Sequence, residues 1–398
     1  MLAAMHELSF SFAATPHIHF GIGQRRRLPE ILAGFGRKVL LVSGGRSFDA
    51  SPQCMAMLEA LQQSFELQRV RVSGEPSPTL VDEAVSEHRA FAPDCVLAIG
   101  GGSAVDAAKA IAGLLPSGDS VMDFLEGVGQ GRSYNGPSTP FIAVPTTAGT
   151  GGETSKNAVL SEVGPDGFKK SFRHEMLVAR HIILDPELTL SCPPALTAAC
   201  GMDAFTQLLE SFVSSNANLM TDALVISGLQ QVRDSLLHAV EQGGDLSARS
   251  GMLYASSISG LTLANAGLGS VHGLASPLGA FFPIPHGVVC GTLLFDASRL
   301  NIEAMQHREP TNPGLARYAE AGRIMLGDAG LNDDAARKGL LELLASWSKR
   351  LSMPRLGEYG IGESDVERIV ANSRGNSMKT NPIELTDAEI AALIRSRL

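Results

Sequence analysis

The chain has 398 residues, 44% hydrophobic and 18% charged, with a formal net charge of −9. That length exceeds what one hydrophobic core usually organises, so two domains are expected, and the apolar fraction excludes a disordered chain. The acidic balance excludes a nucleic-acid footprint, no apolar run reaches membrane-spanning length, and five scattered cysteines (54, 95, 192, 200 and 290) point to reduced thiols in the cytoplasm.

The opening residues, Met1 to Glu7, lack a charged n-region and a long apolar run, so no signal peptide is expected. Arg25-Arg26-Arg27 is the only short basic run and reads as solvated surface. Lys38-Val-Leu-Leu-Val-Ser43 reads as a strand running into Gly44-Gly45, and 65–72 reads as another. Next comes Cys95-Val-Leu-Ala-Ile-Gly-Gly-Gly-Ser-Ala-Val-Asp-Ala-Ala-Lys109, a buried strand, a glycine turn and a helix start. Gly100, Gly101 and Gly102 permit approaches that a Cβ would block. Ser103 is read as the helix cap, with Asp106 at the reciprocal position of a capping box. Free N–H groups at such a helix start suit an anion, here best a pyrophosphate; the bland alternative is a tight turn without a ligand.

Strand 141–144 leads into Val144-Pro-Thr-Thr-Ala-Gly-Thr-Gly-Gly-Glu153. Thr146, Thr147 and Thr150 follow a strand end, where ligands sit in open α/β sheets. Phe168-Lys169-Lys170 reads as a loop with surface lysines, and 181–184 as a last strand. Strands alternating with helical patterns imply βαβ units and a mainly parallel sheet. Cys192-Pro193-Pro194 then punctuates the chain, dividing it into 1–192 and 193–398.

Beyond that point the pattern is nearly all helical: 195–215, 219–240, 247–267, 314–326, 333–352, 363–372 and 386–397, with loops at Gly243-Gly244 and 309–313. Within Gly201-Met-Asp-Ala-Phe-Thr-Gln-Leu-Leu-Glu210, Asp203 and Gln207 share a helix face, although Asp203 also reads as a helix-start residue after Gly201. His272 and His286 lie in an apolar, Gly/Pro-rich frame. Imidazole is costly there unless its nitrogens are satisfied, by hydrogen bonds or by a metal. Ser276 follows His272 by four and shares its face if a helix continues that far. Phe281, Phe282 and Pro283 suggest an apolar pocket lining.

These segments, in this order, resemble the iron-containing (group III) alcohol dehydrogenases from Phe20-Gly-Ile-Gly23 to Asn381-Pro382. The carrying motifs are Gly-Gly-Gly-Ser-x-x-Asp-x-x-Lys, Pro-Thr-Thr-x-Gly-Thr-Gly, Gly-Met-Asp-Ala and Pro-His-Gly. The resemblance implies an α/β N-terminal Rossmann-like domain with a parallel sheet and an all-α C-terminal domain, the dehydroquinate synthase-like architecture. It implies a nicotinamide cofactor in the cleft, beside a divalent metal, iron(II) or zinc(II). The implied reaction is reversible hydride transfer between NAD(P)H and a small aldehyde or ketone. A homodimer or higher homo-oligomer is the common outcome.

Two departures stand out. Asp203, His272 and His286 match three expected metal ligands, but Gln207 stands where the fourth is histidine. Ser276 stands where a second histidine relays the proton. We expect Asp203, Gln207, His272 and His286 to keep a metal site, with His272, Ser276 and Lys169 as catalytic-site residues. For the cofactor, Gly44-Gly45-Arg46-Ser47 offers no carboxylate to repel a 2′-phosphate, and Arg46 and Ser47 suit one. NADP(H) is therefore favoured over NAD(H), with Gly44 to Ser47, Gly100 to Ser103, Asp106 and the three threonines binding it. Two further readings stay open: a metal-independent reductase of a carboxylated ketone, similar to maleylacetate reductases, and a non-redox cyclase similar to dehydroquinate synthase.

Overall fold

A computed structural model describes residues 9–398; the signal-peptide expectation concerns Met1 to Glu7, outside the described residues. The N-terminal half holds strands β1 (His17–Phe20), β2 (Lys38–Gly44), β3 (Glu66–Val72), β4 (Cys95–Gly100), β5 (Phe141–Pro145), β6 (Asn157–Glu162), β7 (Phe168–Arg173) and β8 (His181–Leu184). Its helices are α1 (Leu28–Ala33), α2 (Arg46–Asp49), α3 (Pro52–Ser64), α4 (Pro78–His88) and α5 (Gly102–Leu114). Six strands form one parallel sheet in the order β1-β8-β5-β4-β2-β3.

Strand alternation builds two cores. Val39, Leu41, Cys95, Leu97 and Ile99 face one side and pack with Leu32 of α1 and Leu61 of α3. Leu40, Val42, Val96 and Ala98 face the other and pack with Val85 of α4 and Val105 of α5. Both faces are covered, so β2 and β4 read as unbroken apolar runs. From β2 the chain moves outward to β3, then crosses back to β4 on β2's other side. The topological switch therefore lies between the ends of β2 and β4, where Gly44 and Gly100 sit.

After Pro193 the chain is helical: α6 (Pro194–Val213), α7 (Leu219–Glu241), α8 (Leu246–Ala266), α9 (Ser270–Phe281), α10 (His286–Arg308), α11 (Pro313–Leu326), α12 (Asp333–Arg350), α13 (Val366–Ala371) and α14 (Asp387–Arg395). From Gly201 to Val213 every residue of α6 is buried, which marks it as the central helix of this half. Asp203 lies in its middle, so it is not a helix-start residue.

Four sequence expectations need correction. Ser103 does not cap α5: Gly101 occupies the cap position without a side-chain bond, Ser103 is already helical, and the Asp106 carboxyl faces the backbone of Val159. The segment 168–170 is not a surface loop. It begins β7, which pairs antiparallel with β6, and Lys169 is only 10% exposed in its side chain. The Gly/Pro-rich frame around the two histidines is two helices, α9 and α10, with Pro277 inside the first. Phe281 and Phe282 do not line the cleft; the Arg368 guanidinium stacks over both rings.

The two halves meet through backbone as well as side chains. The β6–β7 hairpin reaches α9, with Gly164 N–H donating to the Ala280 carbonyl at 3.0 Å. Gly151, in the threonine loop, has φ +58°, and a Cβ there would overlap the Ser256 carbonyl oxygen and the Gly260 nitrogen of α8. Both the left-handed backbone and the contact demand glycine. We expect Gly151→Ala to destabilise the protein by about 1–3 kcal/mol, read as a lower thermal or urea midpoint. An unchanged midpoint would show that α8 yields at no cost.

Candidate active site

One cleft of about 900 Å³ opens between the halves. Its lining includes Gly44, Gly45, Arg46, Ser47, Gly100, Gly101, Gly102, Ser103, Asp106, Thr146, Thr147, Thr150, Lys169, Asp203, Gln207, His272, Ser276 and His286. The fold thus brings all the candidate cofactor, metal and catalytic residues to one wall or another of a single cavity, whereas Phe281, Phe282 and Pro283 stay outside it.

The end under the sheet is built by close backbone approach. A Cβ on Gly100 would stand 2.7 Å from the Ala104 Cβ and 3.1 Å from the Gly44 nitrogen. One on Gly102 would stand 3.1 Å from the Thr150 hydroxyl. The first N–H groups of α5 have no intrahelical partner and open onto this cradle. Lys109, fully buried on α5, ties the threonine loop down. Its ammonium donates to the carbonyls of Gly152 and Asn157 and to the Ser155 hydroxyl. Burial pushes Asp106 up to about 7, against the pull of Lys109. Arg46 and Ser47 are exposed at the outer lip, where the nearby Asp49 is already paired with Arg69 and Arg71.

At the helical end three helices converge. Asp203 comes from α6, His272 from α9, and His286 from α10. Asp203 Oδ1 lies 3.4 Å from His272 Nε2 and 3.6 Å from His286 Nε2. Among the described residues this oxygen is buried without a hydrogen-bond partner. Burial raises the Asp203 carboxyl, but His286 and His272 outweigh it and hold it below the usual range. Burial pushes His286 down to about 4, with Lys169 adding to the effect, so its imidazole is neutral at neutral pH. Burial lowers the His272 imidazole, but Cys290, Asp203 and Glu210 outweigh it and hold it well above its ordinary range, so a cation bound there takes the place of a proton. Two imidazoles and a carboxylate converging this closely are a donor set for a divalent cation.

Three neighbours went unmarked in the sequence. Glu210 Oε2 accepts from His272 Nδ1 at 2.7 Å, while its Oε1 accepts from the Val271 N–H at 2.7 Å. That contact holds a proton on Nδ1 and turns His272 Nε2 toward Asp203 and His286, where it would ligate a cation in exchange for a proton. Asp203, Gln207 and Glu210 recur at a helical period on a buried helix, which is the signal that could have found Glu210. Cys290 follows His286 by one turn of α10, and its Sγ approaches His272 Nε2 at 3.6 Å and His286 Nε2 at 3.8 Å. Glu75 pairs with Lys169 at 2.9 Å; 94 residues separate the two, so no local pattern links them.

The two departures from the expected histidines have definite surroundings. The Gln207 carbonyl oxygen accepts from the Ser259 hydroxyl at 2.9 Å. Helix α9 does continue past Ser276, which therefore shares the His272 face, and its hydroxyl donates to the Lys169 carbonyl at 3.1 Å.

Comparison with known proteins matches residues 15–186 to iron-containing alcohol dehydrogenase and residues 197–398 to the C-terminal part of the Fe-containing alcohol dehydrogenase family. Alcohol dehydrogenase 4 of Schizosaccharomyces pombe is 34% identical over 330 residues, covering 81% of this chain and 74% of that protein. Long-chain-alcohol dehydrogenase 1 of Geobacillus thermodenitrificans is 32% identical over 384 residues, covering 95% and 94%. The crystal structure of a 1,3-propanediol oxidoreductase superposes with a TM-score of 0.87 at 28% identity, covering 98% of this chain and all of that one.

Glu210 acts on a cation only through His272. Glu210→Gln is expected to weaken divalent-metal affinity by about 10–100-fold in a chelator-competition titration, with an unchanged circular dichroism spectrum. Equal affinity in the variant would remove Glu210 from the site.

Proposed function

The chain belongs to the iron-containing alcohol dehydrogenase family and is an NAD(P)-dependent oxidoreductase acting on CH–OH groups, and from that premise we propose that it prefers NADP(H) and interconverts a small aldehyde or ketone with its alcohol. The observation that carries this reading is the opening of the glycine cradle and the Asp203 cluster into the same cleft. Bound in this cleft, a nicotinamide would supply or accept the hydride, and a divalent ion, iron(II) or zinc(II), held by Asp203, His272 and His286 would polarise the carbonyl oxygen.

The chain's own residues orient these groups. We assign the pyrophosphate to the N–H groups of Gly101, Gly102 and Ser103, flanked by Thr146, Thr147 and Thr150, because a Cβ at Gly100 or Gly102 would fill that space. Asp106 closes the wall beside them. We assign the 2′-phosphate to Arg46 and Ser47, with Gly44 and Gly45 beneath. No carboxylate stands within 44–47, and Arg46 is exposed at the lip.

Asp203, His272 and His286, with Gln207 beside them, are assigned to the ion. The support is the unpaired Asp203 oxygen facing two imidazole nitrogens. Ser276 and Lys169 are assigned to the substrate wall. Ser276 spends its proton on the Lys169 carbonyl. The Lys169 ammonium, with one of its three donors on Glu75, is then the group that holds a proton there.

The division into 1–192 and 193–398 is part of the same proposal, supported by the cofactor cradle lying before Pro193 and the donor cluster after it. No described helix is long and apolar enough to cross a membrane. A cytoplasmic location is supported by five cysteines that form no disulfide. Assembly as a homodimer or larger homo-oligomer is supported by the edge strand β1, where Ile18 and Phe20 remain exposed.

Two experiments test the proposal. Gly44→Asp is expected to move the ratio of kcat/KM for NADPH over NADH by about tenfold or more toward NADH, through repulsion of the 2′-phosphate. An unchanged ratio would sink the cofactor assignment. Chelation is expected to remove aldehyde reduction and a divalent ion to restore it, while His272→Ala loses on the order of 100-fold or more in turnover and keeps its fold. Near wild-type turnover in folded His272→Ala would refute the ion assignment.

A further inference from the structure

Resting on the reading that a divalent ion binds beside Asp203, we propose that Cys290, and not Gln207, supplies the fourth protein donor. The set becomes Asp203, His272, His286 and Cys290, which suits zinc(II) better than iron(II).

Three observations carry this. The first is geometric. Tetrahedral bonds of about 2.0–2.1 Å to nitrogen and oxygen and about 2.3 Å to sulfur give edges of about 3.3 Å and 3.6 Å respectively. The observed edges are 3.4 and 3.6 Å from Asp203 Oδ1 to the two imidazoles, and 3.6 and 3.8 Å from Cys290 Sγ to the same two nitrogens. One donor atom from each of these four residues lies within 4.8 Å of all the others.

The second is the state of the competing donor. The Gln207 carbonyl oxygen lies 2.9 Å from the Ser259 hydroxyl, whose one proton it shares with the Ser256 carbonyl at 2.7 Å, whereas Asp203 Oδ1 is buried, unpartnered among the described residues, and aimed at the imidazoles. An amide oxygen is also a hard donor, and a site holding two imidazoles and a thiolate is softer.

The third is the contrast with the other thiols. Cys54 and Cys95 sit in an apolar core under the sheet. Cys200 lines the cleft but stands outside the four-donor group. Cys290 alone among the five touches imidazole nitrogens, from a helix that also presents His286 one turn away. On binding, the ion takes the place of the thiol proton, which leaves to solvent. The substitution of Gln207 for histidine is then compensated from a different helix.

Cobalt(II) tests the ligand set directly. The full-length protein is stripped with a chelator and reloaded with cobalt(II). We expect stoichiometric cobalt with tetrahedral visible bands and a near-ultraviolet thiolate-to-cobalt charge-transfer band. Cys290→Ser should lose the charge-transfer band and bind cobalt about tenfold or more weakly. Gln207→Ala and Cys200→Ala should keep the band. X-ray absorption on the zinc-loaded wild-type protein should find a sulfur neighbour at about 2.3 Å, which requires no variant to fold. Stoichiometric cobalt with no charge-transfer band, or zinc with no sulfur neighbour, would overturn the thiolate assignment while leaving the metal reading intact. A band that survives Cys290→Ser, or is lost in Cys200→Ala, would overturn it too. A folded protein that binds neither ion would defeat the metal reading and this inference together.

Discussion

The helical half is organised around a buried carboxylate. Asp203 is buried in the middle of α6, and one of its oxygens has no hydrogen-bond partner among the described residues. An isolated charge in such a place costs several kcal/mol or more, so positive or polar groups must come to it. The flanking helices bring them. Helix α9 carries two glycines and a proline within twelve residues, yet its histidine and that of α10 reach this one point. Glu210 then fixes the ring of His272 and the first turn of α9 with its two oxygens. The architecture of this half is thus tied to one electrostatic requirement rather than to apolar packing alone.

The other half obeys a steric requirement. Strands β2 and β4 are neighbours, and both chains must turn sharply where they leave the sheet. Glycine at 44 and 100 lets the turns pass within van der Waals contact, and the threonine loop fills the space beside them. Lys109 holds that loop from below with three bonds, two of them to backbone carbonyls. Cradle and donor cluster are each rigid by construction, and the cleft between them inherits that rigidity.

What the sequence revealed follows from how local each cause is. The run 95–109 and the threonine loop were legible because strand, turn and helix start are written in consecutive residues. Asp203, His272 and His286 were legible as polar residues in apolar surroundings. The β6–β7 hairpin was not, because Phe168 to Arg173 puts Phe172 into a core but turns Lys169, Lys170 and Arg173 to the cleft, and composition alone makes that a loop. Helix α9 was obscured by Pro277, which sits inside it, whereas Pro283 and Pro285 do mark the short link 282–285 before α10. The misread cap at Ser103 has a similar origin. The local pattern fits a capping box, but the helix starts two residues earlier than the motif assumes. Glu75 was beyond reach, since its partner lies 94 residues away.

The contact between Gly151 and Gly260 has a kinematic meaning. Two backbones touch there with no side chain between them, so no rotamer change can absorb relative motion. The threonine loop is therefore pinned to helix α8 by main chain alone, and the part of the cleft wall that Thr150 forms is fixed to the helical half at that point.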